Sequence, residues 1–146
     1  MASAADRVRA NSAEEINRQI DRAIDRRVQQ YESRSPAEIT RRIDKLDREW
    51  DMERLLETNA SALAFTGLVL GVAHNKKWLV LPGIVLPFLF QHAVQGWCPP
   101  VPIFRRLGVR TRQEIDREKY ALKVLRGDFD KVESLPSAQA ALEAVR

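Results

Sequence analysis

The first third of the chain has apolar side chains every three to four residues, the period of amphipathic α-helices. Two such stretches are separated by a short polar segment. Each opens on an S-x-x-E capping-box motif, at Ser12 and at Ser35. We therefore predict a charged, amphipathic helical arm over residues 1–57. The apolar positions are Ile16, Ile20, Ile24, Val28 and Tyr31 in the first stretch, and Ile39, Ile43, Leu46 and Trp50 in the second; the predicted helices cover about 12–32 and 36–57.

The middle of the chain contains two runs without any charged residue, 58–73 and 78–90. At ~1.5 Å per residue, each gives a helix of roughly 20–25 Å, which is short for a hydrocarbon core of about 30 Å. Two marginal helices that insert together are more credible than either alone. We predict a two-helix transmembrane hairpin over 58–98 with its turn at 74–77.

Several side chains in this region are typical of membrane interfaces. Lys76 and Lys77 fit a turn whose ammonium groups extend to the far interface, and Trp78 fits an aromatic anchor beside them. Trp97 would mark the near interface. The fold class predicted is all-α, a membrane-embedded helical hairpin with long amphipathic cytoplasmic helices at both ends. A soluble protein with a buried helical hairpin is the alternative.

No helix breaker lies between Ala37 and Gly67, so the second arm helix is expected to continue without interruption into the first crossing. After the second crossing, the proline-rich segment 98–102 predicts an extended exit. Residues 99–133 then form a cytoplasmic segment with a short amphipathic helix that Gly127 ends. Residues 134–146 are expected to be a tail.

Small residues form one face of the first predicted crossing. They are spaced four, three and four apart, and the last two form a GxxxG motif. In lipid, small residues let helix backbones approach closely. The partner helix could belong to the same chain or to another copy. The predicted packing face consists of Ala60, Ala64, Gly67 and Gly71.

The charge distribution predicts the orientation. The net charge is +4, and acidic residues alternate with basic ones in the arms, which argues against nucleic acid as a partner. The flanks of the hairpin carry far more basic residues than its turn does. By the positive-inside rule, both termini lie in the cytoplasm. The flanking basic residues are Arg41, Arg42, Lys45, Arg48 and Arg54 before the hairpin, and Arg105, Arg106, Arg110, Arg112 and Arg117 after it.

Few residues suggest chemistry. Cys98 is the one cysteine, so it is the only candidate thiol nucleophile, and basic residues that follow it could lower its pKa. Gln91, His92 and Gln95 end the second crossing and form either a polar pathway or a polar cap at the interface. No metal site, cofactor site or catalytic motif is predicted.

The stretch GWCPPVPIFRRLGVRT, preceded by a two-helix hairpin, resembles the YgaP-like transmembrane domain family. The residues that carry the resemblance are Cys98–Pro99 and the Leu-Gly-x-x-Thr segment that ends at Thr111. It covers about residues 58–112. The resemblance implies a small bacterial inner-membrane protein, and some relatives that carry a rhodanese domain form membrane dimers. No rhodanese domain is present here, so sulfur transfer is not carried over.

We therefore expect a non-enzymatic integral membrane protein that contacts the lipid bilayer and forms homo-oligomers. It would act as a scaffold, accessory or regulatory subunit, with a membrane complex as a further candidate partner. One alternative is an oligomeric conduit for a small solute or ion, lined by Gln91, His92 and Gln95. The other is a thiol or sulfur relay that uses Cys98.

Overall fold

The computed structural model describes residues 7–129, and over this range the chain is helical without a strand. A single turn of 3₁₀ helix, Lys76–Leu79, precedes the fifth α-helix. The α-helices are α1 (Arg7–Ala10), α2 (Glu14–Tyr31), α3 (Pro36–Arg48), α4 (Met52–Ala73), α5 (Val80–Gln95), α6 (Val101–Arg106) and α7 (Arg112–Arg126). The all-α prediction is confirmed for the described residues. The predicted tail, 134–146, lies outside them.

The chain divides into two compact units. Within the described residues, the apolar unit comprises 7–20 and 50–113, and the charged unit comprises 21–49 and 114–129. The apolar unit contains α1, α4, α5 and α6. The charged unit contains α3, the larger part of α2 and most of α7.

The charged unit has a small core of aliphatic side chains from α3 and α7, against which Tyr31 of α2 packs. Helix α3 begins with the predicted capping box, because the Ser35 side chain accepts from the Glu38 N–H and the Glu38 carboxylate accepts from the Ser35 N–H at 3.1 Å. The Ser35 N–H holds the pKa of the Glu38 carboxyl below its usual value. The core residues are Ile39, Ile43, Leu46, Ile115 and Leu122.

One carboxylate is fully buried in the charged unit. The Glu118 side chain is 0% exposed and accepts two hydrogen bonds from Arg42, at 2.9 and 2.6 Å, while Arg27 lies 3.6 Å away. A buried ion that loses its partner is costly. The pair therefore makes the position of α7 in this unit dependent on α3.

The prediction that the second arm helix continues into the apolar run without interruption is wrong. Helix α3 ends at Arg48 and α4 begins at Met52. The Asp51 side chain caps α4 by accepting from the Arg54 N–H at 2.8 Å. The Met52 N–H donates to the Arg110 carbonyl at 3.0 Å instead of to a carbonyl four residues back. The break between α3 and α4 therefore coincides with a local cap at Asp51 and with a contact distant in sequence.

Helices α4 and α5 pack side by side in antiparallel order, since Gly67 faces Pro82 and Gly71, further along α4, faces Leu79. Asn75 lies at the predicted turn, where its side chain accepts from the Lys77 N–H at 2.9 Å. The 3₁₀ turn then leads into α5.

The proline-rich exit after α5 was predicted to be extended. In the structure it is partly helical. Pro100 already has α-helical φ and ψ, and α6 begins at Val101. Pro102 is tolerated because a first-turn N–H has no intrahelical partner to lose. Gly108 and Gly127 follow α6 and α7 with positive φ, and α7 ends at Arg126 as predicted.

Most of the large apolar side chains of α4 and α5 point away from the rest of the chain. Val72 is 82% exposed, Phe90 72% and Phe65 69%. Within residues 7–129, two helical stretches are long and apolar enough to cross a membrane, one ending at Ala73 and one over Lys76–Gln95. Only 17% and 6% of their apolar windows are buried within the chain. A core helix of a soluble protein would be mostly buried.

Substitutions at two glycines of the α4–α5 pair test its close packing. A Cβ added at Gly67 would lie 2.5 Å from Pro82 Cδ, whereas one added at Gly83 would meet nothing within 4 Å. We expect Gly67→Ala to lower the stability in detergent by about 1–3 kcal/mol through overpacking. The matched Gly83→Ala should leave the thermal unfolding midpoint unchanged or raise it, since alanine favours helix. Equal midpoints for the two variants would contradict the packing.

A second pair of variants tests the buried ion pair. We expect Glu118→Gln to destabilise the chain by about 3 kcal/mol, because it leaves the Arg42 charge without its counter-ion. Glu14→Gln removes the exposed partner of Arg18 and should cause no measurable change. Denaturant unfolding followed by circular dichroism compares the two. Similar unfolding midpoints would show that Glu118 is not an essential partner.

Candidate functional site

The carboxyl end of α5 is held by side chains from α1 and the residue after it. Arg7 donates to the Ala93 carbonyl at 2.6 Å and to the Val94 carbonyl at 3.2 Å, and Asn11 donates to the Gln95 carbonyl at 2.8 Å. The last carbonyls of a helix lack intrahelical donors, and a cation there also opposes the negative end of the helix dipole. This end of α5 is therefore completed by the N-terminal segment.

Gly96 makes this approach possible. Its φ of +76° is in the left-handed region, and a Cβ there would collide with the backbone and Cβ of Arg7. Any other L-residue would therefore be strained and would also displace Arg7. Arg7 was not predicted as a site residue, because its partners lie more than 80 positions away in the sequence.

A groove of about 510 Å³ lies beside this contact. We call it the polar groove. Glu53, Glu57 and Ser61 line it from α4 at intervals of four residues, so they share one face of that helix. His92 faces them from α5. The remaining lining residues are Arg7, Val8, Leu89, Ala93 and Gly96.

His92 is the buried polar group of this groove, with 6% of its surface exposed. Its Nδ1 has no hydrogen-bond partner among the described residues. An unsatisfied buried nitrogen costs about 1–3 kcal/mol, so a group that hydrogen-bonds to the imidazole in the groove would be favoured. Glu57 and Arg7 line the same groove as His92 and carry opposite charges.

Of the three polar residues predicted as a pathway, only His92 lines the polar groove. The Gln91 side-chain amide donates to Gln95 Oε1 at 3.4 Å, so these two lie on one side of α5. The sequence indicated that this end of α5 is polar, but the carboxylates opposite His92 were missed because they precede the apolar run.

The predicted small-residue face is used within the chain. Gly67 and Gly71 are both buried, the first against Pro82 and the second against Leu79. Ala60 and Ala64 are half-buried. Ala60 also lines a second, largely apolar groove of about 360 Å³, together with Leu63, Phe88 and Cys98.

The predicted interface anchors lie at the two ends of the pair. Lys76, Lys77 and Trp78 are exposed at the turn, and Trp97 is half-buried after α5. The 19 residues from Trp78 to Trp97 would span roughly 28 Å as a helix, close to the thickness of a hydrocarbon core. The spacing of the two tryptophans is therefore compatible with anchors at opposite interfaces.

Cys98 lies in the core of the apolar unit, 4% exposed, with Val8, Met52, Leu56 and Val101. Burial raises the pKa of its thiol, which outweighs the opposite effect of a hydrogen bond from the Val101 N–H. This direction is opposite to the lowered pKa that a relay thiol needs. Arg105, one of the basic residues expected to lower it, donates to Asn17 Oδ1 at 2.7 Å and to the Val109 carbonyl at 3.2 Å.

Over residues 7–129, no group of three or more His, Cys, Asp or Glu side chains is placed to hold a metal ion. The polar groove brings together two carboxylates, one imidazole and one guanidinium. This arrangement suits a ligand that carries both signs of charge.

The burial of Cys98 has a measurable consequence. We expect its alkylation by iodoacetamide at neutral pH to be at least ~10-fold slower than that of an exposed thiol, because only the thiolate reacts and it must also be reached. The matched comparison is Lys76→Cys in a Cys98→Ser chain. Denaturant should equalise the two rates. Fast labelling of Cys98 in the folded chain would instead support the thiol or sulfur relay as the function.

Comparison of the chain with protein-family models, curated proteins and solved structures found no match. The resemblance to the YgaP-like transmembrane domain family therefore stays a prediction from Cys98–Pro99 and the segment that ends at Thr111.

Proposed function

We propose that this chain is a small, non-enzymatic integral membrane protein that crosses the bilayer twice and acts as a self-associating scaffold, accessory or regulatory subunit. The observation that carries the proposal is the outward apolar surface of α4 and α5. Exposed apolar surface of this extent is costly in water, whereas lipid covers it at no cost. Both helices satisfy their main-chain groups largely within themselves, as a lipid-facing segment must.

The packing of the apolar unit supports entry and exit on one side of the membrane. Met52 and Leu56 at the start of α4 share a core with Cys98 and Val101, which follow α5. The lysines of the turn are at the opposite end of the helix pair. The excess of basic residues in the flanks then favours the cytoplasm for both termini, with the bacterial inner membrane as the location.

The two prolines of α5, Pro82 and Pro87, are compatible with a transmembrane helix. Pro82 falls in the first turn of α5, where no intrahelical N–H bond is lost, and Pro87 lies inside the helix. Prolines inside transmembrane helices are tolerated where neighbouring groups satisfy the freed carbonyl.

Self-association uses a surface other than the glycine face, because Gly67 and Gly71 already contact residues of the same chain. The outward side chains of α4 and α5 remain available for a second copy within the membrane. The alternatives have less support. Of the conduit residues only His92 lines the polar groove, and Cys98 is buried with a raised pKa.

The topology is tested with single cysteines in a Cys98→Ser chain. We expect Lys76→Cys in intact spheroplasts to react with a membrane-impermeant maleimide, because the turn lies outside. Glu32→Cys, exposed in the charged unit, should react only after permeabilisation. Labelling of both positions in permeabilised cells is the control. Labelling of Glu32→Cys from outside would reverse the orientation.

The self-association is tested by co-expression of two differently tagged copies. We expect one tag to co-purify the other from membranes solubilised in mild detergent, while tagged copies mixed after solubilisation should not exchange rapidly. Gly83→Ala, which alters an open position of α5, should co-purify as the unchanged chain does. If purification through one tag never recovers the other, the chain is a monomer. That result would contradict the proposal of a self-associating scaffold.

A further inference from the structure

The polar groove lies where the charged and apolar parts of α4 meet. Glu57 is the last charged residue before the charge-free run that starts at Thr58, and Ser61 is already inside that run. If α4 crosses a bilayer, this is the level of the lipid headgroups. The inference below therefore rests on the proposed function.

The polar groove presents two carboxylates and then a hydroxyl in a fixed order along α4, and Arg7 of α1 adds a positive charge. Glu53 and Glu57 lie toward the water and Ser61 toward the apolar run, with roughly 12 Å between Glu53 and Ser61 along the helix axis. Carboxylates accept from an ammonium group, and hydroxyl, imidazole and guanidinium groups donate to a phosphate. A ligand with an outer ammonium and an inner phosphate therefore matches the order of the side chains.

His92 supplies the second, independent sign of a ligand. It is more than nine-tenths buried, it lines the groove, and its Nδ1 has no partner among the described residues. Arg7 is fixed beside it through the Ala93 carbonyl. A buried imidazole and a guanidinium held by main-chain carbonyls therefore lie side by side at the wall of the groove.

We propose that the polar groove binds the headgroup of phosphatidylethanolamine, a phosphate joined to a primary ammonium group. The ammonium donates to Glu57 and Glu53, and the phosphate accepts from Ser61 and His92 near Arg7. Phosphatidylglycerol has no ammonium group and would bring an unpaired anion toward two carboxylates. Phosphatidylcholine has the same charges, but its methylated nitrogen cannot donate hydrogen bonds.

The volume of the groove is sufficient for such a group. About 510 Å³ falls within the range of about 300–1,000 Å³ that is usual for small-molecule sites. Leu89 and Val8 provide apolar walls. The lipid's acyl chains would remain in the bilayer, beside the outward apolar side chains of α4 and α5.

The test uses the full chain inserted in bilayer discs that contain equal amounts of phosphatidylethanolamine and phosphatidylglycerol. After gentle release, native mass spectrometry counts the retained lipids. We expect phosphatidylethanolamine to be retained about 10-fold more often than phosphatidylglycerol. With the unchanged chain, replacing phosphatidylethanolamine by phosphatidylcholine in the discs should reduce the number of retained lipids severalfold.

Glu57→Gln keeps the shape of an exposed side chain and should abolish the preference for phosphatidylethanolamine. Glu32→Gln, in the charged unit, is the matched control and should retain it. Equal retention of the two lipids, or an unchanged preference in Glu57→Gln, would overturn the proposal. Displacement of the lipid by an equal concentration of soluble phosphoethanolamine would assign the groove to the free compound instead.

Failure of this proposal differs from failure of the proposed function. A chain that enters the discs and shows no lipid preference remains an integral membrane protein without this site. A chain that does not enter discs of any composition overturns both.

Discussion

The outward apolar side chains of α4 and α5 must be shielded from water, and this condition constrains the rest of the chain. Phe65, Val72 and Phe90 are exposed on helices that bury only a small share of their apolar residues within the chain. Apolar side chains of this number and size are unfavourable in water, and residues 7–129 do not bury them. The close contact at Gly67 and Gly71 is compatible with this condition, because helices in lipid associate through close backbone approach rather than through the hydrophobic effect.

The ends of this helix pair are polar, and three of the polar side chains there hold main-chain groups. Asn75 closes the turn through its side chain, and Arg7 and Asn11 satisfy the last carbonyls of α5. These contacts make the N-terminal segment part of the apolar unit rather than a separate arm. His92 differs, since its Nδ1 has no partner among the described residues and its side chain lines the polar groove. The proposed headgroup would lie between the His92 side chain and the carboxylates on α4.

The features that the sequence predicted well are those that depend on neighbouring residues. The capping box at Ser35 and the end of α7 at Gly127 follow from local rules of helix termination, and both are present. The two apolar helices were also predictable, because their length and composition can be read directly from the sequence. The break between α3 and α4 was missed, because only its Asp51 cap is local and the hydrogen bond from Met52 to Arg110 joins residues far apart in the sequence.

The candidate site was only partly predictable for the same reason. His92 was singled out as a polar residue in an apolar helix, but its neighbours Glu53 and Arg7 belong to other elements. Whether the glycine face packs within the chain or against another copy depends on where α5 returns. The helical start at Val101 was missed because a proline in a first helical turn has the opposite effect to one in a helix interior.

The measurement that tests the central claim most directly is the extraction of the full chain from a membrane pellet, first with alkaline carbonate and then with detergent. Carbonate releases proteins that are bound only to the membrane surface. The outward apolar faces of α4 and α5 predict that the chain stays in the pellet until detergent is added. Complete release by carbonate alone would show that another surface covers these faces and would contradict the two crossings.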